Sequence, residues 1–309
     1  MSRRLDDTYL RGPVKYYEGE WISGRKIYFF GDDHFSRARC PVDSPRISMS
    51  AFLQKICRWN PEKTFHLLLE VPGHTEITIA PDRRQQFISQ VYQQVYKKKQ
   101  EPNLVTHGID IRYPGIKRAL TLLKKSTSIL KNIVEYQVVI PAEKKKLLQM
   151  LPQLLTHFED VDVDAYMKLF IRVGHLSIQP TFQSVLPRLS NYFKHKLSSY
   201  EMCSNYISIV QTLLTRTPEE QLPTKPLLHS FLNSLQMVGV LLTDLATLLC
   251  IFSIPIEEEI IVFAGMTHIR NTIEFLIDPI RSNFFITEEV QTEEYYQCLP
   301  LHDIMRELR

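Results

Sequence analysis

Glycine is scarce in this chain: ten among 309 residues, about half of ordinary usage. A Gly-rich phosphate cradle has little to work with, and neither GxGxxG nor GxxxxGK[ST] occurs. A surplus of one charge is missing too. Lysine and arginine number 37 against 34 aspartates and glutamates, a net charge of +3, so charge gives no ground to expect a nucleic-acid partner. Cysteines are few and scattered (Cys40, Cys57, Cys203, Cys250 and Cys298), with no CxxC pair. That pattern suggests neither a disulfide framework nor a zinc knuckle, and the expectation is free thiols in a reducing, cytoplasmic compartment. The first residues are charged and lack the apolar run of a signal peptide. Long hydrophobic runs reduce to one, residues 235–256, whose single charge is Asp244. Aspartate at mid-bilayer costs roughly 2.5–3.5 kcal/mol, so this segment reads as a buried helix and no membrane span is expected.

What remains is 44% hydrophobic and 23% charged, proportions that exclude a disordered tail or a coiled coil and allow one large core or two modest ones. Short β-rich apolar runs at 26–30, 64–69 and 103–109 alternate with helical spacing at 50–58 and 82–99. Strand, helix, strand, helix, strand implies parallel pairing. Residues 259–264 form another apolar run, followed by a helix through Leu276, and 283–287 read as a last strand. Between them lies a long stretch with helical periodicity only, punctuated by prolines such as Pro141, Pro152 and Pro180, which read as helix starts or breaks. The expected fold is α/β: a mostly parallel sheet with flanking helices and a large all-helical insertion. The expected divisions are an arm at 1–24, a core of 25–114 with 254–290, an insertion at 115–253 and a tail at 291–309.

Parallel sheets gather ligands at the carboxyl ends of their strands. Four of the expected strands end there in ionisable groups: Asp32, Asp33 and His34; Glu70; Asp110 and Arg112; His268. A glycine ahead of each histidine would let the backbone turn sharply out of the strand. Two imidazoles and a carboxylate on one rim are a common ligand set for a divalent transition metal. The expectation is therefore a divalent ion (manganese, cobalt, zinc or iron) held by His34, Glu70, His268 and Asp32. Asp33 or Asp110 would serve as general base or outer partner, and Arg112 would meet a substrate carboxylate or a developing oxyanion. The bland alternatives are a turn histidine at His34, a helix-start histidine at His268, and a Glu70 that pairs with Arg112 or a backbone amide.

Gly31-Asp32-Asp33-His34 and Gly265-Met266-Thr267-His268 are two copies of GxxH. With Glu70 and Arg112, they give a chain that resembles the Tiki/TraB superfamily, over residues 27–114 and about 240–276. That group includes Tiki-type metalloproteases, TraB-type proteins, erythromycin-esterase-like enzymes and haem-binding ChaN-like proteins. The resemblance implies a hydrolase acting on a peptide, ester or amide bond, with His34, Glu70 and His268 on metal-binding or hydrolytic positions and Arg112 on a nearby basic one. Esterase-like members carry glutamate directly after the first motif's glycine, where this chain has Asp32, shorter by a methylene. Asp244 matches a recurrent acidic position in similar proteins, among them members from large DNA viruses.

Other features read more plainly. Four residues of strand span about 13 Å, so His66 lies at the far end from Glu70 and reads as a satisfied rim histidine. His107 reads as structural, and His74, in the loop after Glu70, is within reach of the pocket. Cys40 near His34 suggests a nucleophile pair, but nothing marks it as a thiolate. Glu257-Glu258-Glu259 reads as a solvated strand start. A second reading of the whole chain is a non-catalytic descendant, a virion or scaffold protein whose leucine- and aromatic-rich helices in the insertion meet protein partners.

Overall fold

The computed structural model describes residues 8–21, 23–33, 40, 44–72, 87–96, 98, 101–110, 122, 125–126, 128–132, 141–159, 163–198, 211, 215, 225–278, 284–291 and 298–305. The chain divides into two compact units. One is built from Met1–Ile111, Ile171–Val185 and Ala246–Arg309, the other from Arg112–Phe170 and Leu186–Leu245. The fold is α/β.

The first unit is organised by a six-stranded sheet. Its strands are β2 (Lys15–Trp21), β3 (Lys26–Asp32), β5 (Phe65–Pro72), β6 (Leu104–Asp110), β7 (Glu259–Gly265) and β8 (Phe284–Gln291), in the order β6-β5-β7-β3-β2-β8. The first four pair in parallel; β2 runs antiparallel to both β3 and β8. Central parallel strands are covered on both faces, so they carry apolar residues at nearly every position. Ile27, Phe29, Phe30, Leu67, Leu68, Leu69, Val262 and Phe263 are all sealed from solvent. The terminal strand β8 instead alternates exposed with half-buried positions after a buried Phe284.

One face of the sheet packs on helix α1 (Met49–Trp59) and on α2 (Phe87–Val91), which continues into a π-helical turn (Tyr92–Tyr96). Ser48 Oγ caps α1 by accepting from Ala51 N at 3.2 Å. Phe52, Leu53, Ile56 and Cys57 then fall on one buried stripe. A small second sheet pairs β1 (Tyr9–Arg11) with β4 (Arg46–Ser48) in parallel and with β9 (Cys298–Pro300) antiparallel.

Four expectations are corrected here. Residues 8–21 are not an arm: β2 lies inside the main sheet, with Tyr16 buried on one face and Tyr17 and Trp21 on the other. The tail likewise carries β9 and a short helix, Leu301–Met305, with Leu299, Leu301 and Ile304 in the core. The all-helical zone is not one insertion, since Ile171–Val185 and the residues from Ala246 to Ser253 belong to the sheet unit. And Cys40 and Cys298 are not free thiols but a disulfide, their Cα atoms 5.4 Å apart, Cys298 being held in β9 by its pairing with β1.

The second unit is helical, as its periodicity predicts. It contains α3 (Pro141–Glu159), most of α4 (Val163–Val173), α5 (Leu186–Ser198) and the first part of α6 (Lys225–Ser253). Leu147, Leu151, Met167, Phe170, Leu189 and Phe193 are buried. Pro152 sits within α3 instead of ending it. Among the described residues no helix is long and apolar enough to cross a membrane.

Candidate functional site at the carboxyl ends of the strands

The strand order decides what meets at the rim. Strand β7, from the far end of the chain, inserts between β3 and β5. Its last residue, Gly265, pairs in register with Asp32 of β3. On the other flank, Glu70 Oε2 of β5 accepts a hydrogen bond from Gly265 N at 2.7 Å. Gly265 is also the N-cap of helix α7 (Met266–Ile277) and has no side chain to cap with. Glu70 supplies a carboxylate to the cap amide from a neighbouring strand, a task that in a capping box falls to the helix's own first turn. The positive end of the helix favours that carboxylate.

His268 stands in the first turn of α7. Its Nε2 lies 3.5 Å from Glu70 Oε1, both side chains being largely buried. Asp32 on β3, the register partner of Gly265, is only 1% exposed. Three groups expected to share a site thus come from β3, β5 and the start of α7, and the structure brings Glu70 and His268 into contact. Asp33 follows β3 and is exposed. Asp110 ends β6, where its backbone pairs with Pro72. His34, His74 and Arg112 lie outside the described residues, as does Cys203.

The glycine of the first motif acts differently from expectation. Gly31 lies inside β3, not at a turn. A Cβ there would run into the Met266 thioether, so the position serves close packing between β3 and the start of α7. Met266, which places that helix, carries no signal that sequence reasoning could have read. The glutamate run before β7 is also more engaged than expected: Glu259 accepts from Tyr28 Oη at 3.0 Å and pairs with Lys63 at 2.7 Å, while Glu258 binds His66.

Whether these residues suit a metal is a matter of donor spacing. Ligands about 2.0–2.2 Å from an ion stand roughly 3 Å from one another. The Nε2–Oε1 separation of 3.5 Å is close to that spacing and long for a direct hydrogen bond. Imidazole nitrogen and carboxylate oxygen suit manganese, iron, cobalt or zinc alike. Among the described residues no group of three or more potential ligands is assembled, so Glu70 and His268 make a two-donor set. No family model, curated protein or solved structure matches the chain.

Proposed function

We propose that this protein is a Tiki/TraB-like hydrolase that uses a divalent metal to cleave a peptide, ester or amide bond at the carboxyl-end rim of its sheet. The observation that carries the reading is the approach of His268 to Glu70. It unites the second GxxH motif with a glutamate near the carboxyl end of β5, from a distant part of the sequence. Glu70 and His268 would hold the ion, together with His34; Asp32, expected as a further ligand, does not group with them. A bound divalent ion there supplies an activated water and polarises the scissile carbonyl. Glu70 has one oxygen fixed by Gly265 N, leaving Oε1 oriented toward His268. Asp33 and Asp110 are the candidates for general base, and Arg112 for the oxyanion.

Elemental analysis of the purified protein tests this, with His268→Ala and His34→Ala as controls. Stoichiometric manganese, iron, cobalt or zinc, lost in both variants while folding is retained, together with turnover in a screen of model esters and peptides, is the expected result. Folded protein that neither holds metal nor turns over any substrate overturns it. The second reading, a non-catalytic protein in which the rim is structural, has one specific observation in its favour: Glu70 already has a structural task as the cap of α7.

A further inference from the structure

Opposite that rim, at the amino ends of the same parallel strands, a second polar cluster interrupts the core. Glu258 Oε2, just before β7, bonds to Nε2 of His66 on β5. Nδ1 of His66 lies 2.9 Å from Nε2 of His107 on β6. The two ring planes differ by 15° and their centres are 5.2 Å apart. That separation exceeds the N···N distance by little more than two ring radii. The rings therefore meet edge to edge, nitrogen facing nitrogen in line, with no room for an ion between them.

An in-line pair of imidazole nitrogens shares one proton. Glu258 accepts, so His66 carries its proton on Nε2 and offers a lone pair at Nδ1, to which His107 donates Nε2–H. A first added proton enters at His107 Nδ1 as the shared proton passes from His107 Nε2 to His66 Nδ1, leaving His66 an imidazolium that donates to Glu258 and to His107, and the chain of bonds survives. A second sets N–H against N–H. The bond is lost, and two like charges are left in contact within a low-dielectric interior. Besides Glu258, the charged group acting on His66 is Arg25 ahead of β3, on which Glu258 and Glu257 act in turn. The Arg25 guanidinium donates to the carbonyls of Ile251 and Ile254 at 3.2 and 3.3 Å.

We propose that Glu258, His66 and His107 form a pH-sensitive latch that ties strand β6 to the sheet and releases it when both imidazoles become charged. Strand β6 is where such a tie has most effect, because among the described residues it pairs with β5 alone. Burial holds His66 below the ordinary imidazole value and His107 down at about 4, so the latch is closed at neutral pH.

Amide hydrogen exchange followed from pH 7 to pH 4, corrected for intrinsic rates, tests the latch. The expected result is a loss of protection in β6 of tenfold or more below pH 5, while β3, at the centre of the same sheet, keeps its protection. In His107→Gln the amide still donates to His66 but does not titrate, so β6 stays protected at pH 4. Nitrogen chemical shifts of the two rings in the wild-type protein give a check that needs no variant: at pH 7 both are Nε2–H tautomers. Unchanged β6 protection at pH 4, simultaneous loss in β6 and β3, or an Nδ1–H tautomer on either ring overturns the proposal.

Discussion

Glu70 and Gly265, far apart in sequence, are joined by a 2.7 Å hydrogen bond from the Gly265 amide to Glu70 Oε2, and that bond sets the start of helix α7. Its companion contact, Glu70 Oε1 to His268 Nε2 at 3.5 Å, exists only because the helix starts where it does. Cap and candidate ligand are therefore two oxygens of one carboxylate.

This double use separates two variants. Glu70→Ala removes the acceptor and is expected to cost about 1 kcal/mol in urea denaturation, within the usual 0.5–2 kcal/mol of a lost cap. Glu70→Gln keeps a carbonyl for the Gly265 amide and is expected to fall within about 0.5 kcal/mol of wild type, surface-like in its cost. On the proposed function, both lose bound metal. A Glu70→Gln protein with wild-type stability and full metal content would place Glu70 in the capping role alone.

Gly31→Ala is expected to destabilise by about 1–3 kcal/mol, the cost of overpacking, because its Cβ collides with the Met266 thioether. Trimming the obstacle should recover part of the loss. The double variant Gly31→Ala with Met266→Ala is expected to lose less than the sum of the two single changes, a coupling of roughly 0.5–3 kcal/mol for residues in contact. Strict additivity in thermal or urea melts would show that Met266 simply moves aside.

How far the sequence could be read follows from which residues act locally. Continuous apolar runs marked β3, β5 and β7 to within a few residues, because a strand covered on both faces must be apolar throughout, and a shorter β-rich run marked β6. The echo of Gly31 and Gly265 was visible, and the structure places Asp32 and Gly265 as register partners. Non-local matters were not legible. Nothing in residues 259–265 tells that β7 slips between β3 and β5, and nothing around Cys40 or Cys298 announces their pairing. Strand β2 was missed because Lys15, Glu18, Gly19 and Glu20 break its apolar pattern. Glu18 is nevertheless buried, held by Lys26 Nζ at 2.7 Å and by Tyr16 Oη at 3.0 Å. His66 was read as a satisfied histidine, and its two partners are of that kind.

The Cys40–Cys298 bridge closes a very long loop. Reduction, or Cys298→Ser, is expected to lower stability by about 2–4 kcal/mol, read as a drop in melting temperature under reducing conditions. The other two described thiols do not compete for the bridge. Cys57 and Cys250 are buried, and burial pushes both up to about 12, so neither offers an attacking thiolate. A melting temperature unmoved by reductant, with the bridge shown to be open, would contradict this.

Arg25 is a buried cation whose charge is met mainly by backbone and aromatic faces. Nη2 donates to Ile251 O and Ile254 O at the end of α6, and the guanidinium lies over Trp21 and Phe182 at 5.3 and 5.8 Å. Burial lowers it to about 10, against the pull of Glu258 and Glu257. Arg25→Met keeps the hydrocarbon stem but removes the charge from a helix carboxyl end, and is expected to cost about 1–3 kcal/mol. A variant as stable as wild type in urea would assign the whole role to packing.

The histidine pair also sets the acid limb of global stability. Both rings are held below their ordinary value in the folded protein, His107 at about 4, mainly by burial. The unfolded chain titrates near 6.5. Between those values the unfolded state binds more protons, so folding stability contributed by the neutral pair is complete above about pH 6.5 and declines as pH falls toward 4. For His107 alone the loss amounts to roughly 3 kcal/mol. Urea melts at pH 7.5, 6, 5 and 4 are expected to show that decline in wild type and a visibly flatter one in His107→Gln, whose side chain binds no proton. Equal slopes in the two proteins would mean that His107 takes up its proton as readily folded as unfolded, and that its burial beside His66 costs the charged form nothing.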